Sequence, residues 1–175
     1  MHLTLETERT RMRPFTTDDA EESFSWFGDA EVMEYAFGAD ATMGDTADRI
    51  DRYIDHQNRW GFSKWIVLDR ETDSPIGDAG FFQMPEGRGV ELGYRLARSK
   101  WGRGLATEVA QRWIEMAGDF LDVPVLFAYA QDENTGSFRV MEKVGFVFSQ
   151  TAIVYGAEVR LHELPLKCAK VEAKR

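Results

Sequence analysis

Polar and apolar positions alternate from Thr10 to Phe15, which predicts a first strand. Thr17-Asp18-Asp19 then supplies a capping residue and first-turn acids for a helix that runs through Phe27. A second helix is expected from about Thr46 to Trp60, because Ile50, Tyr53, Ile54 and Gln57 recur at three-to-four spacing and Gly61 follows as a stop. Three strands come next, Ser63 to Leu68, Ile76 to Gln83 and Gly89 to Leu96. The turn sequences Asp73-Ser74-Pro75 and Pro85-Glu86-Gly87 separate them and make them an antiparallel meander.

The period then changes. Leu105, Val109, Trp113, Met116 and Phe120 form one apolar helical stripe, and Asp122 to Pro124 leads into the buried-type run Val125 to Ala130. Strand, helix and strand in this order predict a parallel pairing between Gly89–Leu96 and Val125–Ala130. A short helix from about Asn134 to Val144 ends at Gly145, and two alternating stretches follow, Phe146 to Val154 and Glu158 to Leu164. The expected fold is α/β (an α+β mixed sheet) of about six or seven strands with helices on both faces. It forms one domain over residues 1–175, with a core at 10–166 and a charged tail at 167–175.

Composition narrows the function. Hydrophobic residues make up 43% and charged residues 29% of 175, which suits a packed core and not a disordered chain. A formal net charge of -9 with no basic stripe argues against nucleic acid and anionic membrane surfaces as partners, and it permits a cationic amine without requiring one. The single cysteine, Cys168, excludes an internal disulfide and suits a reducing, cytoplasmic setting. No charged leader with an apolar stretch opens the chain, and no apolar run reaches the ~20 residues of a membrane helix. His2, His56 and His162 are isolated, so no metal site is expected.

The most informative segment is Leu96-Ala97-Arg98-Ser99-Lys100-Trp101-Gly102-Arg103-Gly104-Leu105-Ala106, which passes from a strand through two glycines directly into a helix. Glycine allows close backbone approach, the first helical turn carries unpaired amides, and the helix dipole adds positive potential, so an anion fits there. Lys100 and Arg103 add charge. The plainer alternative is that Gly102 and Gly104 only shape a turn. No P-loop pattern occurs, and Gly87-Arg88-Gly89 lies between strands.

Gly104 and Ala106 in this segment match the Arg/Gln-x-x-Gly-x-Gly/Ala cofactor motif of the GNAT superfamily of N-acetyltransferases, which the chain resembles. Trp101 departs from the arginine or glutamine of that pattern, as in the branch resembling the ribosomal-protein acetyltransferases RimJ and RimL. Two further blocks carry the resemblance: Glu91-Leu92-Gly93-Tyr94, similar to the family's Glu-x-Gly-Tyr strand, and Asn134-Thr135-Gly136-Ser137 running to Glu142-Lys143-Val144-Gly145-Phe146. It extends more loosely from Thr10 to Leu166. The resemblance implies acetyl-CoA as donor and a primary amine as acceptor. Leu96 and Ala97 would pair with pantetheine, and the stretch from Arg98 and Lys100 through Trp101, Gly102, Arg103, Gly104, Leu105 and Ala106 would hold pyrophosphate. Asn134 and Ser137 would touch the pantetheine.

An amine attacks only when neutral, so a base is useful. Glu91 is the candidate, on the strand face it shares with Gly93 and Arg95; its alternative role is a salt bridge to Arg95. The tyrosine that many family members use as general acid is replaced here by Met141, which leaves Ser137 as the candidate acid, or as a mere backbone or cofactor contact. Tyr35, Phe37 and Tyr53 are candidate walls of the acceptor pocket. The acceptor is either a protein N-terminal α-amine or a small-molecule amine such as a polyamine, aminoglycoside or amino acid. A non-catalytic acyl-CoA-binding module is the reading from another class. Monomer and homodimer are both compatible.

Overall fold

The structure is a computed structural model that describes residues 3–36 and 38–166. Phe37, His2, Cys168 and the tail from Lys167 therefore lie outside the described residues. Eight strands form one mixed sheet: β1 (Leu5–Glu6), β2 (Thr10–Pro14), β3 (Lys64–Asp69), β4 (Pro75–Gln83), β5 (Val90–Leu96), β6 (Val125–Ala130), β7 (Val147–Val154) and β8 (Ala157–Pro165), in the spatial order β1-β2-β3-β4-β5-β6-β8-β7. The expectation of six or seven strands is corrected by β1, whose two residues are too short to show any alternation. The meander β2 to β5 is antiparallel throughout, and the pairing of β5 with β6 is parallel.

The helices are α1 (Ala20–Phe27), α2 (Met43–Trp60), α3 (Leu105–Glu115), α4 (Ala117–Phe120) and α5 (Thr135–Lys143). Thr42 and Asp45 form a reciprocal capping box that starts α2 three residues before the apolar period becomes visible, and Gly61 stops it in a left-handed conformation, φ 80°. The stripe expected to run unbroken to Phe120 is interrupted at Met116, where the helix ends before a four-residue turn containing Gly118. That break folds Phe120 back onto Trp113 and Trp65, with ring centres 5.7 and 5.6 Å apart.

Strand alternation divides the core between the two faces. Trp65, Val67, Phe81 and Leu92 pack with Trp113 of α3, whose ring lies 5.0 Å from both Trp65 and Phe81 in edge-on contact. Ile66, Leu68 and Phe82 face the other way, onto Trp26, Phe27, Ile50 and Tyr53 of α1 and α2. Lys64, Asp78, Glu91 and Arg95 follow the same alternation and are placed on the α1/α2 side. Among the described residues no helix is long and apolar enough to cross a membrane.

Candidate active site

The centre of the sheet is split. β6 pairs along its whole length with β8, but with β5 only at Val90↔Leu126 and Glu91↔Phe127. On the other side of β5 the ladder is complete: Met84 N–H donates to Gly89 O and Ala97 N–H to Ile76 O. Because antiparallel pairing alternates, the backbone groups of Glu91, Gly93, Arg95 and Ala97 point to β4, and those of Tyr94 and Leu96 point into the gap. Ala97, expected on the open edge, thus donates to β4 instead. Leu96 has its carbonyl taken by the Trp101 indole N–H at 2.8 Å. Tyr94 keeps its backbone turned toward the split.

A cleft of about 530 Å³ lies over this opening; Glu91, Ser137, Asn134, Tyr35 and Tyr53, named from the sequence, all line it. Its floor depends on one glycine. Lys64 of β3 extends beneath Gly80 and Gly93, donates to Gly80 O at 3.1 Å and meets Glu91 Oε1 at 3.2 Å. A Cβ on Gly93 would sit 2.1 Å from Lys64 Nζ, so any larger residue would push the ammonium from this position. Burial pushes the Lys64 pKa down, and Glu91 pulls it back up.

Glu91 does not pair with Arg95. Residues four apart on a strand are separated by about 13 Å at Cα, whereas Asp78 lies directly opposite Arg95 on β4. Arg95 accordingly donates to both Asp78 oxygens at 3.0 and 2.7 Å and to Tyr53 Oη at 2.6 Å. These partners hold its pKa above the ordinary arginine range despite burial, which acts the other way.

Glu91 Oε2 is buried and has no hydrogen-bond partner among the described residues. Nearby hydroxyls of Tyr129 and Tyr155 feel its charge. Burial first, then the Glu91 charge, push both phenol pKa values up, and a hydrogen-bonding interaction with the Glu91 carboxyl adds to the rise at Tyr129, although no bond of ordinary length closes on Oε2. A buried carboxylate oxygen that closes no ordinary hydrogen bond is costly, and this one belongs to a residue that lines the cleft.

Across the gap, Asn134 Oδ1 caps α5 by accepting from Ser137 N–H at 3.1 Å, and Tyr94 Oη donates to Ser137 O at 3.1 Å. The Ser137 hydroxyl lines the cleft and is not engaged by these bonds. Met141, at the expected tyrosine position, is buried and also reaches the cleft.

The glycine loop lies beyond the end of β5 and does not line the cleft. Gly102 and Gly104 have φ of 70° and 76°, the left-handed region that favours glycine. α3 begins after Gly104 with no side-chain cap, which leaves its first amides, Leu105 and Ala106 included, for an anion. The loop's cations are partly committed: Lys100 pairs with Asp69 at 2.8 Å and Arg98 with Glu31 at 2.7 Å. Arg9, missed in the sequence, donates to Arg103 O at 2.9 Å, pairs with Glu108 at 2.6 Å and lies 3.7 Å from where a Gly104 Cβ would be. It is 94 residues from Arg103, so nothing local announces it.

A split between two parallel strands, a glycine turn into an uncapped helix at its end and a polar cleft at its mouth suit an acyl-CoA. Residues 9–147 match the acetyltransferase (GNAT) domain family. The chain belongs to the GNAT family of acetyltransferases. Like the family, it is an acetyl-CoA-dependent enzyme. It is 30% identical to an uncharacterized N-acetyltransferase, p20, of Bacillus licheniformis, over 82% of each chain. Among solved structures, an acetyltransferase from Agrobacterium tumefaciens strain C58 superposes with a TM-score of 0.80 at 24% identity, covering 94% of this chain and 95% of that one. A ribosomal-protein-S5-alanine acetyltransferase from Vibrio fischeri superposes with a TM-score of 0.74 at 16% identity, over 94% and 97%. These likenesses are of fold.

The signals missed in the sequence are instructive. Lys64 is a charge opening an apolar run, and it falls on the strand face that carries Ile66 and Leu68. Tyr129 lies in a run that reads as buried core, and Tyr155 with Gly156 forms a tight turn, φ 49° and 82°, that reaches the cleft from the β7–β8 hairpin.

Proposed function

We propose that the chain acetylates a primary amine by direct attack within the cleft, with Glu91 as the base. The observation that carries this reading is the Glu91 carboxyl, buried on the cleft wall beside the split, with Oε1 held by Lys64 and no hydrogen bond of ordinary length at Oε2. Acetyl-CoA supplies an activated acetyl thioester. Gly102, Gly104 and the first amides of α3 fit its pyrophosphate, and the backbone of Tyr94 fits the pantetheine and its carbonyl. Glu91 takes a proton from the amine, directly or through one water, while Lys64 fixes the carboxylate from below. Ser137, with its hydroxyl uncommitted, is the donor for the departing thiolate.

For the acceptor we favour an α-amine, in line with the resemblance to the RimJ/RimL type. An α-amine titrates about 2.5 units below a lysine and asks less of a carboxylate base. One cysteine in the chain suits a reducing, cytoplasmic setting. The test has two parts. Calorimetric titration should show acetyl-CoA and CoA binding to the wild type, at least tenfold weaker in Gly104→Glu, and no binding of ATP. Release of CoA in the presence of primary amines should then exceed the amine-free rate. Binding without amine-dependent release would support the non-catalytic module instead.

A further inference from the structure

The cleft has a second polar end, and it has the opposite sign to the protein. Acids outnumber bases 30 to 21 over the chain, yet the cleft wall presents Arg49, Arg52, Lys64 and Arg95 against one carboxylate, Glu91. Lys64 pairs with Glu91, Arg95 with Asp78, and Arg49 with Asp40 at 2.5 Å. Arg52 has no ion pair or hydrogen bond among the described residues. Arg52 feels the Asp40 carboxylate, which Arg49 already pairs with, so on this wall two arginines share one close acid and Arg52 keeps its N–H groups.

Its uncommitted donors are guanidinium nitrogens. Arg95 uses Nε and Nη2 on Asp78 and Tyr53, and its Nη1 has only the Met33 sulfur at 3.9 Å. Arg49 uses Nε and Nη2 on Asp40. The guanidiniums of Arg49 and Arg95 are gathered around one ring, 5.0 and 5.1 Å from the centre of Phe27, and are close enough to repel each other. Two arginines held together against their repulsion, with spare N–H groups and a third arginine beside them, make an anion receptor.

We infer that the acceptor amine carries a carboxylate, with the amine at Glu91 Oε2 and the carboxylate at the Arg49/Arg52/Arg95 end. The inference rests on the acetyl-transfer reading above and narrows its acceptor. Polyamines and aminoglycosides, which bear several positive charges, meet like charge on this wall. The same cations favour the neutral form of a bound amine, the form that attacks. Planar, forked guanidiniums suit a planar carboxylate, and the chain length between its amine and carboxylate is the variable the panel below reads.

The test compares matched acceptors at saturating acetyl-CoA, reading CoA release. The panel is a set of α-amino acids, β-alanine, 4-aminobutanoate and 6-aminohexanoate, each beside its primary amide, with spermidine and an aminoglycoside. We expect kcat/KM for at least one carboxylate to exceed that of its amide tenfold or more, and the ratio to shrink as salt rises. Arg52→Gln, an exposed site whose exchange should leave folding intact, should cut that ratio at least threefold through the loss of kcat/KM on the carboxylate. Equal rates on acids and amides, faster transfer to spermidine or the aminoglycoside, or a ratio unmoved in Arg52→Gln would overturn the inference while acetyl transfer stood. No amine-dependent release from any acceptor, with acetyl-CoA bound, would overturn both.

Discussion

Replacing Lys64 by methionine should destabilise the protein far more than an ordinary surface charge deletion. The pair it makes with Glu91 spans 3.2 Å with side chains 6% and 11% exposed. At an effective dielectric of 20 the attraction is about 5 kcal/mol, much of it offset by the cost of burying both charges. Removing one partner forfeits the attraction and leaves a carboxylate buried, a loss of about 3–5 kcal/mol. Glu91→Gln differs in a way that fixes the sign of a pH effect. Burial already lowers the Lys64 pKa and Glu91 opposes it, so without the carboxylate it falls further. An amine whose folded pKa lies below its unfolded value contributes stability fully above the unfolded value, about 10.4, and loses it as pH falls from there. The stability deficit of Glu91→Gln against wild type should therefore shrink as pH rises toward about 10.4. Urea unfolding of wild type, both single variants and the double variant measures this, and the coupling between the two sites should reach about 1–3 kcal/mol. A Lys64→Met cost below about 1 kcal/mol, or additive single effects, would refute the reasoning.

Other consequences follow from the same geometry. Gly93→Ala should cost about 1–3 kcal/mol in urea unfolding, because its Cβ would fall 2.1 Å from Lys64 Nζ, and Lys64→Met should relieve part of that cost. His56 accepts from Gln83 N–H at Nε2 and so carries its proton on Nδ1, which donates to Phe62 O at 2.7 Å. Burial foremost lowers its pKa, so stability should be full above pH 6.5 and fall as pH drops below it, less steeply in His56→Gln; His162, also lowered by burial, keeps some of the slope in that variant. Trp113→Ala should cost about 3–5 kcal/mol in the same assay, since the fully buried ring touches Trp65, Phe81 and Phe120 at once.

Legibility in the sequence followed the range of the interaction. Seven strands and the parallel pairing of β5 with β6 are written in local alternation and length. The glycine loop is likewise local, since Gly102, Gly104 and the start of α3 are contiguous. Glu91 could be placed on a strand face, but not its partner, because Lys64 and Glu91 meet only through two strand pairings that join residues 64, 80 and 93 in register. The Thr42–Asp45 box was present in the residues and was outweighed by the later start of apolar periodicity. Net charge does not locate charge: -9 over the whole chain permits a cationic acceptor without requiring one, while α2 and β5 turn arginines onto the cleft. A global sum carries no information about which charges a fold gathers.

The central claim is that Glu91 receives the amine's proton, and the most direct measurement is pre-steady-state acetyl transfer by Glu91→Gln with acetyl-CoA affinity determined on the same sample. The account predicts a rate lowered by about 10²–10⁴-fold with acetyl-CoA bound as tightly as by wild type. A folded Glu91→Gln protein that transfers acetyl at the wild-type rate would contradict it.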